Sequence, residues 1–176
     1  MANPVYIIVT NRGDGDITSH ADMTAARLGQ INCQWVFVPF WSWYIPPEIY
    51  ERYRVVIFHM TDVPYGRGGS PLQNLLYLGH ETTMISAIRC CEITDGGDVY
   101  MKCAFDISYG TADEIYDRAD VIIRNYMVPF IVQTNPKPVP QRGKSVRFKR
   151  WDKNKTSRIF RAMSTDYENL GSGKSP

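Results

Sequence analysis

Short, nearly uninterrupted apolar blocks alternate with longer mixed stretches over the first half of the chain. The blocks are "VYIIVT" (5–10), "QWVFVPF" (34–40) and "RVVIFHM" (54–60). They are too short for helices and rich in Val, Ile and Phe, so they read as strands apolar on both faces. Between them, "ADMTAARLGQ" has helical composition, and "PPEIYERY" opens with prolines that suit a helix's first turn. After the third block, Ser70, Pro71 and Gly79 mark the N-cap, first turn and stop of a helix in "SPLQNLLYLG". The pattern is β-α-β-α-β-α, which predicts a mostly parallel sheet covered on both faces, an α/β fold.

The pattern then changes. Two strand-like runs, "TTMISAIRCCE" and "GDVYMKCAFDI", flank the turn "ITDGGD". The strongest helical pattern spans Thr111 to about Gln133. Thr111 and Glu114 are spaced as a capping box. Ile115, Ala119, Ile122, Tyr126 and Phe130 form its expected core stripe, with a kink at Pro129. The proline-rich "QTNPKPVPQRGKS" ends the core. "VRFKRW" reads as one more strand or half of a hairpin, and fraying is expected beyond Ser164. The expected division is a core over 1–140 and a basic, β or irregular extension over 141–176.

Composition adds bounds. The 176 residues suffice for one domain, and 44% apolar with 22% charged residues is ordinary for a globular protein. No run of about 18 apolar residues is present, and the N-terminus lacks the basic flank of a signal peptide. Cys33, Cys90, Cys91 and Cys103 form no CxxC pair, so buried reduced thiols, no metal site and a cytoplasmic location are expected. Charge is uneven. Between Lys144 and Arg161 stand eight Lys or Arg residues and one acid, Asp152. This basic end suggests a phosphate-bearing ligand, with a solvated tail as the plain alternative. No nucleic-acid or membrane partner is expected.

His59 closes the third block, and α/β sheets bind ligands beyond the carboxyl ends of their strands. Asp95 lies in "ITDGGD", where glycines let the backbone bend. Alone, a histidine ending a strand is most often structural, and an Asp beside two glycines is most often turn chemistry. The loop "NRGDGD" is not a dinucleotide fingerprint, and "YGRGGS" lacks the Lys-Ser/Thr of a P-loop. Together, however, His59 and its following turn, "HMTDVPYGRGGSP", resemble the "HxSLLPxxRGxxP" motif of the folate-dependent formyltransferases. Asp95 to Asp98, "DGGD", resembles their "DxGD" motif, 36 residues on. "WYIPPEIY" (43–50), "YGTADEIYDR" (109–118) and "PQRGKSVRFKRWDKNKTSRI" (140–159) are similar to family segments in the same order.

The resemblance implies a Rossmann-like formyltransferase fold, shortened before His59, and 10-formyltetrahydrofolate as formyl donor. It implies that His59 serves as general base or proton shuttle and Asp95 orients it. Trp41, Trp43, Tyr44, Ile45, Pro46, Ile57, Ile93 and Asp98 would line the folate site. Thr61, Arg67, Gly68, Asn74, Lys149 and Arg150 would meet the acceptor, with Phe148 or Trp151 stacking on its base as an alternative to core packing. The tRNA-directed members carry a further C-terminal domain, which is not expected here. The expected acceptor is therefore a nucleotide-linked amino sugar, and a homodimer is compatible with the family. One departure stands out. Ile57 occupies the position, two before the His, where the family carries an Asn assigned to the formyl oxygen. Thr61, a backbone N–H, Asn74 or protonated His59 would have to substitute. Otherwise the chain is a slow enzyme or a binding protein of the same fold. Glycinamide-ribonucleotide-type transfer is a further alternative.

Overall fold

The computed structural model describes residues 6–152. The chain runs β1 (Tyr6–Ile8), α1 (Ala25–Ile31), β2 (Trp35–Val38), α2 (Pro47–Tyr50), β3 (Arg54–His59), β4 (Arg67–Gly68), α3 (Pro71–Tyr77), β5 (Thr82–Arg89) and β6 (Val99–Asp106). Then follow α4 (Ala112–Ile122), a π-helical turn (Ile123–Met127), α5 (Val128–Thr134) and β7 (Arg147–Phe148). The main sheet has the order β1-β2-β3-β5-β6. Its first three strands are parallel, as the apolar blocks predict, and β5 and β6 continue it antiparallel.

Alternation along these strands builds two cores. Phe37, Val56, Ile85 and Ala87 face α3 and α4, meeting Leu72, Leu75 and Ile115. Ile7, Val36, Val38 and Val55 face the other way, toward Leu28 of α1 and Ile49 of α2. Each fully buried side chain of this kind stabilises the fold by about 1.5–3 kcal/mol. Burial on both faces is why the strands carry almost no polar positions. His59 ends β3 on the α1/α2 face, in line with Val55 and Ile57. Its row across the sheet is His59, Ser86 and Lys102.

The long helix keeps its predicted capping box. The Thr111 N–H donates to Glu114 Oε2 at 2.7 Å, and the Glu114 N–H donates to Thr111 Oγ1 at 3.3 Å. Its core stripe needs correction. Ile115 and Ala119 are buried as expected, but the buried residues then become Ile123, Met127 and Ile131. Ile122 is only half-buried, and Tyr126 and Phe130 are 53% and 38% exposed. The cause lies in the hydrogen-bond register. Pro129 has no N–H to continue an α-helical ladder. The Val128 N–H bonds the Ile123 carbonyl, five residues back. That π turn takes in an extra residue and advances the buried face by one position, so Pro129 is absorbed by a widened turn.

β7 is a short strand and no part of a hairpin. It pairs in parallel with β4, matching Arg67 with Arg147 and Gly68 with Phe148. Val139 exchanges two backbone hydrogen bonds with Val99, and the Val146 N–H donates to the Pro64 carbonyl at 3.1 Å. Phe148 packs edge-on to Tyr65, and the buried Trp151 packs on Tyr77. Both aromatics are thus packing residues. Residues 139–151 form a strap over the turn that follows β3. Lys153, Lys155, Arg158, Arg161 and the expected frayed end lie outside the described residues.

All four cysteines are free thiols. Burial pushes Cys90 up to about 12 and raises Cys33 as well. No helix among the described residues is long and apolar enough to cross a membrane.

Candidate active site

His59 is 7% exposed. Its Nε2 lies 2.7 Å from the Gly66 carbonyl oxygen. A carbonyl only accepts, so Nε2 carries the hydrogen and Nδ1 is the basic nitrogen. Nδ1 lies 3.6 Å from Asp95 Oδ1. That is beyond a direct hydrogen bond and within ion-pair range once Nδ1 is protonated. Asp95 spends its other oxygen, Oδ2, on the Gly68 N–H at 2.8 Å. A proton arriving at Nδ1 therefore yields an imidazolium bracketed by a carboxylate and a main-chain carbonyl.

The turn after β3 makes this possible through two glycines. Gly66 has φ of 71°, and a Cβ there would fall 2.6 Å from Thr61 Cγ2 and 2.8 Å from the Phe148 ring. Gly68 has φ of 101°, and its Cβ would fall 2.5 Å from the Phe148 carbonyl oxygen. Only glycine lets the 66 carbonyl reach the imidazole and the 68 amide reach Asp95 while the strap lies across them. Lys102 steadies the same turn. It pairs with Asp62 and donates to the Val63 carbonyl at 2.6 Å.

Gln141 is absent from the predicted site residues, although it stands in the "PQRG" stretch that resembles the family ending. Its amide nitrogen donates to the carbonyls of Asp95 and Gly97, each at 2.8 Å. Its amide oxygen accepts from Arg67 Nε at 3.0 Å and from an Arg67 terminal nitrogen at 2.6 Å. One side chain therefore joins the strap, the β5–β6 turn and the turn after β3. Nothing in composition or periodicity distinguishes it from any other loop glutamine.

The other predicted residues divide by position. Thr61, Arg67 and Gly68 share the turn with His59. Thr61 is fully buried and donates to the Gly66 carbonyl at 3.3 Å. Asn74 gives its amide hydrogens to the carbonyls of Gly69, Ser70 and Lys149. Ser70 sits at the N-cap position of α3 without capping it, and its hydroxyl accepts from the Trp151 N–H at 3.0 Å. Ile57 is half-buried against Val63, Ile88 and Val99. Trp41 is half-buried, and its Nε1–H is enclosed with no hydrogen-bond partner among the described residues. Trp43 and Tyr44 are 41% and 62% exposed, and Trp43 leans on His20. Ile45 is a core side chain beside Ile49, and Pro46 opens α2. Ile93 is 62% exposed. Asp98 is half-buried, and its carbonyl accepts from the Arg89 N–H. Lys149 and Arg150 are exposed on the strap.

A cavity of about 340 Å³, lined by Asp62, Tyr65, Leu75, His80, Thr82 and Thr83, borders the same turn. A second, of about 320 Å³, lies between Asn11, Arg12 and Gly13 and the acids Asp117 and Asp120. Neither is lined by His59 or Asp95, so the chemistry is located by the paired side chains and not by cavity size.

No family model matches the chain. Among curated proteins it is similar to methionyl-tRNA formyltransferase of Rickettsia canadensis, 28% identical over 110 residues, which are 61% of this chain and 34% of that protein. The chain spans about a third of the length of the first such relatives. Among solved structures it is similar to a methionyl-tRNA formyltransferase from Clostridium thermocellum. The TM-score is 0.82 and the identity 34%, over 90% of this chain and 81% of that one. It also shares the fold of the formyltransferase PseJ from Anoxybacillus kamchatkensis, solved with UDP-4,6-dideoxy-4-formamido-L-AltNAc and tetrahydrofolate. There the TM-score is 0.64 at 15% identity, over 88% of this chain and 89% of PseJ.

Proposed function

We infer that this chain, which belongs to the folate-dependent formyltransferase family, moves a formyl group from 10-formyltetrahydrofolate to the amine of a nucleotide-linked amino sugar. The observation that carries the reading is the His59–Asp95 pair at the carboxyl end of β3, with Nδ1 as the basic nitrogen. The folate supplies the formyl carbon. Toward that group the chain offers a half-buried Ile57, an exposed Ile93 and a Trp41 whose enclosed indole N–H lacks a partner among the described residues. Apolar side chains with one N–H donor suit a flat, polar-edged heterocycle.

His59 Nδ1 takes the proton that the amine must lose as it adds to the formyl carbon. Asp95 Oδ1 and the Gly66 carbonyl stabilise the imidazolium from its two ends, and His59 then returns the proton to the departing nitrogen. Of the donors named in place of the family Asn, Thr61 and Asn74 spend their hydrogens on main-chain carbonyls. Both N–H groups of the imidazolium face Asp95 Oδ1 and the Gly66 carbonyl, so the formyl oxygen is left to a backbone N–H. Lys144, Arg147, Lys149 and Arg150 are exposed on the strap and offer charge to the acceptor's phosphates.

The 34% identity to a methionyl-tRNA formyltransferase favours a second acceptor, the amine of an aminoacyl-tRNA. One assay separates the readings. Purified protein is mixed with 10-formyltetrahydrofolate and either a panel of nucleotide-linked 3- or 4-amino-dideoxy sugars or charged methionyl-tRNA, and free tetrahydrofolate is followed. Turnover on an amino sugar, lowered on the order of 10²–10⁴-fold by His59→Ala and strongly by Asp95→Asn, is expected. Turnover on methionyl-tRNA alone overturns the sugar acceptor. Folate binding without release on any amine overturns the transfer and leaves a binding protein.

A further inference from the structure

We propose that Gln141 is a positioning residue that holds Asp95 against His59, acting as a two-armed clamp that Arg67 aims. The proposal rests on the formyl-transfer reading of the His59–Asp95 pair.

Asp95 is held in an uncommon backbone conformation. Its φ of 51° lies in the left-handed region, where a non-glycine residue needs outside support to stay. A free "DGGD" turn, with two glycines following, has many alternatives of similar energy. Two contacts remove them. The Gly68 N–H holds one carboxylate oxygen, and the Gln141 amide nitrogen holds the main-chain carbonyl. The second Gln141 hydrogen goes to the Gly97 carbonyl, so the clamp spans the turn on both sides of Gly96. With one oxygen and the carbonyl tied, only Oδ1 remains for the imidazole.

A primary amide is symmetric enough to rotate end for end, and the reversed amide would put its oxygen against two carbonyl oxygens. Arg67 prevents this. Two of its N–H groups converge on Gln141 Oε1, and a guanidinium has no acceptor to offer the reversed amide. Both of these residues are half-buried, so water competes weakly for their bonds. Arg67 thus acts on the chemistry through Gln141, and Gln141 through Asp95.

The test splits the two arms. Gln141→Met keeps the length and removes both. Gln141→Glu keeps acceptors for Arg67 but turns a carboxylate on the Asp95 and Gly97 carbonyls. Arg67→Met removes the aim and leaves the amide. The chain has three histidines, so ¹⁵N imidazole spectra report His59 separately from His20 and His80. Asp95→Asn supplies the reference shift of a His59 without its carboxylate.

Gln141→Met and Gln141→Glu are expected to move the His59 signals in the same direction as Asp95→Asn, with His20 and His80 unmoved. The rate constant kcat is expected to fall on the order of 10- to 100-fold, with KM for the folate within about twofold, as misplacement of a reacting partner predicts. Arg67→Met should produce a smaller change of the same sign. His59 signals at wild-type positions in both Gln141 variants, while Asp95→Asn moves them, would overturn the clamp and leave the pair intact. A His59 that ignores Asp95→Asn would overturn the pair itself, and the clamp with it. A loss of folded protein in Gln141→Met that Gln141→Glu repairs together with full activity would make the residue structural only.

Discussion

Against the motif that the sequence resembles, the residue that departs most is Ile57. It lies one pleat before His59 on the same sheet face, packed against Val63, Ile88 and Val99. A hydrocarbon there cannot donate to a charge developing on the formyl oxygen. Removing one preorganised donor of that kind typically costs about 10²–10³ in kcat. Thr61 and Asn74 are committed to carbonyls, and the two ring nitrogens of His59 face Gly66 and Asp95, so none of these side chains replaces it. Ile57→Asn is therefore expected to raise kcat by roughly tenfold or more, with little change in KM. Steady-state rates of the two proteins on the accepted amine check this. An unchanged kcat means that a backbone N–H already supplies the bond. The departure itself was legible in the sequence, because it rests on one position two residues before a recognisable His. Its consequence was not, because the bonds that occupy Thr61 and Asn74 depend on where the strap and the turn meet.

At the scale of elements, period and capping carried the reading well wherever one helix or strand obeys one rule. The apolar blocks became strands buried on both faces, and Thr111 with Glu114 became a capping box. The stripe failed after Ala119, because a period of 3.6 residues assumes a single hydrogen-bond register and Pro129 imposes a second one locally. The correction has a thermodynamic consequence. Ile123→Ala and Met127→Ala remove fully buried side chains and should each destabilise the protein by about 2–5 kcal/mol. Tyr126→Ala removes a half-exposed ring and should cost less than about 1 kcal/mol. Urea denaturation of the three variants distinguishes the registers, since an uninterrupted α-helix would reverse the order of Met127 and Tyr126. Strand β7 was harder to read. Two residues carry no usable period, and their partner, β4, is equally short and far away in the chain.

Across the whole molecule, the strap ties the turn after β3 to the β5–β6 turn beside the His59–Asp95 pair. Val139, Gln141, Val146, Phe148 and Trp151 each bond or pack on a part of the chain that precedes them by forty residues or more. Long-range pairings of this kind leave no local signature, which is why His59 and Asp95 could be named from motifs while their supports could not. The strap's hold on the site is testable through two amides. The Arg67 N–H bonds the Val146 carbonyl at 3.0 Å, and the Gly68 N–H bonds Asp95 Oδ2. Trp151 pins the far end, through its ring on Tyr77 and its N–H on Ser70. Truncating a buried Trp removes about 3–5 kcal/mol of packing, and here that loss falls on a peripheral segment with its own opening equilibrium. Trp151→Ala should therefore speed hydrogen exchange at Arg67 and Gly68 by roughly 10²-fold, while Val36 and Val56 in the central strands keep their protection. Transfer activity should fall in the same variant, because the Gln141 bonds that hold the Asp95 turn come from the strap. Equal acceleration at all four amides would mean that strap and sheet open as one unit, and that the site is held by the global fold and not by a latch.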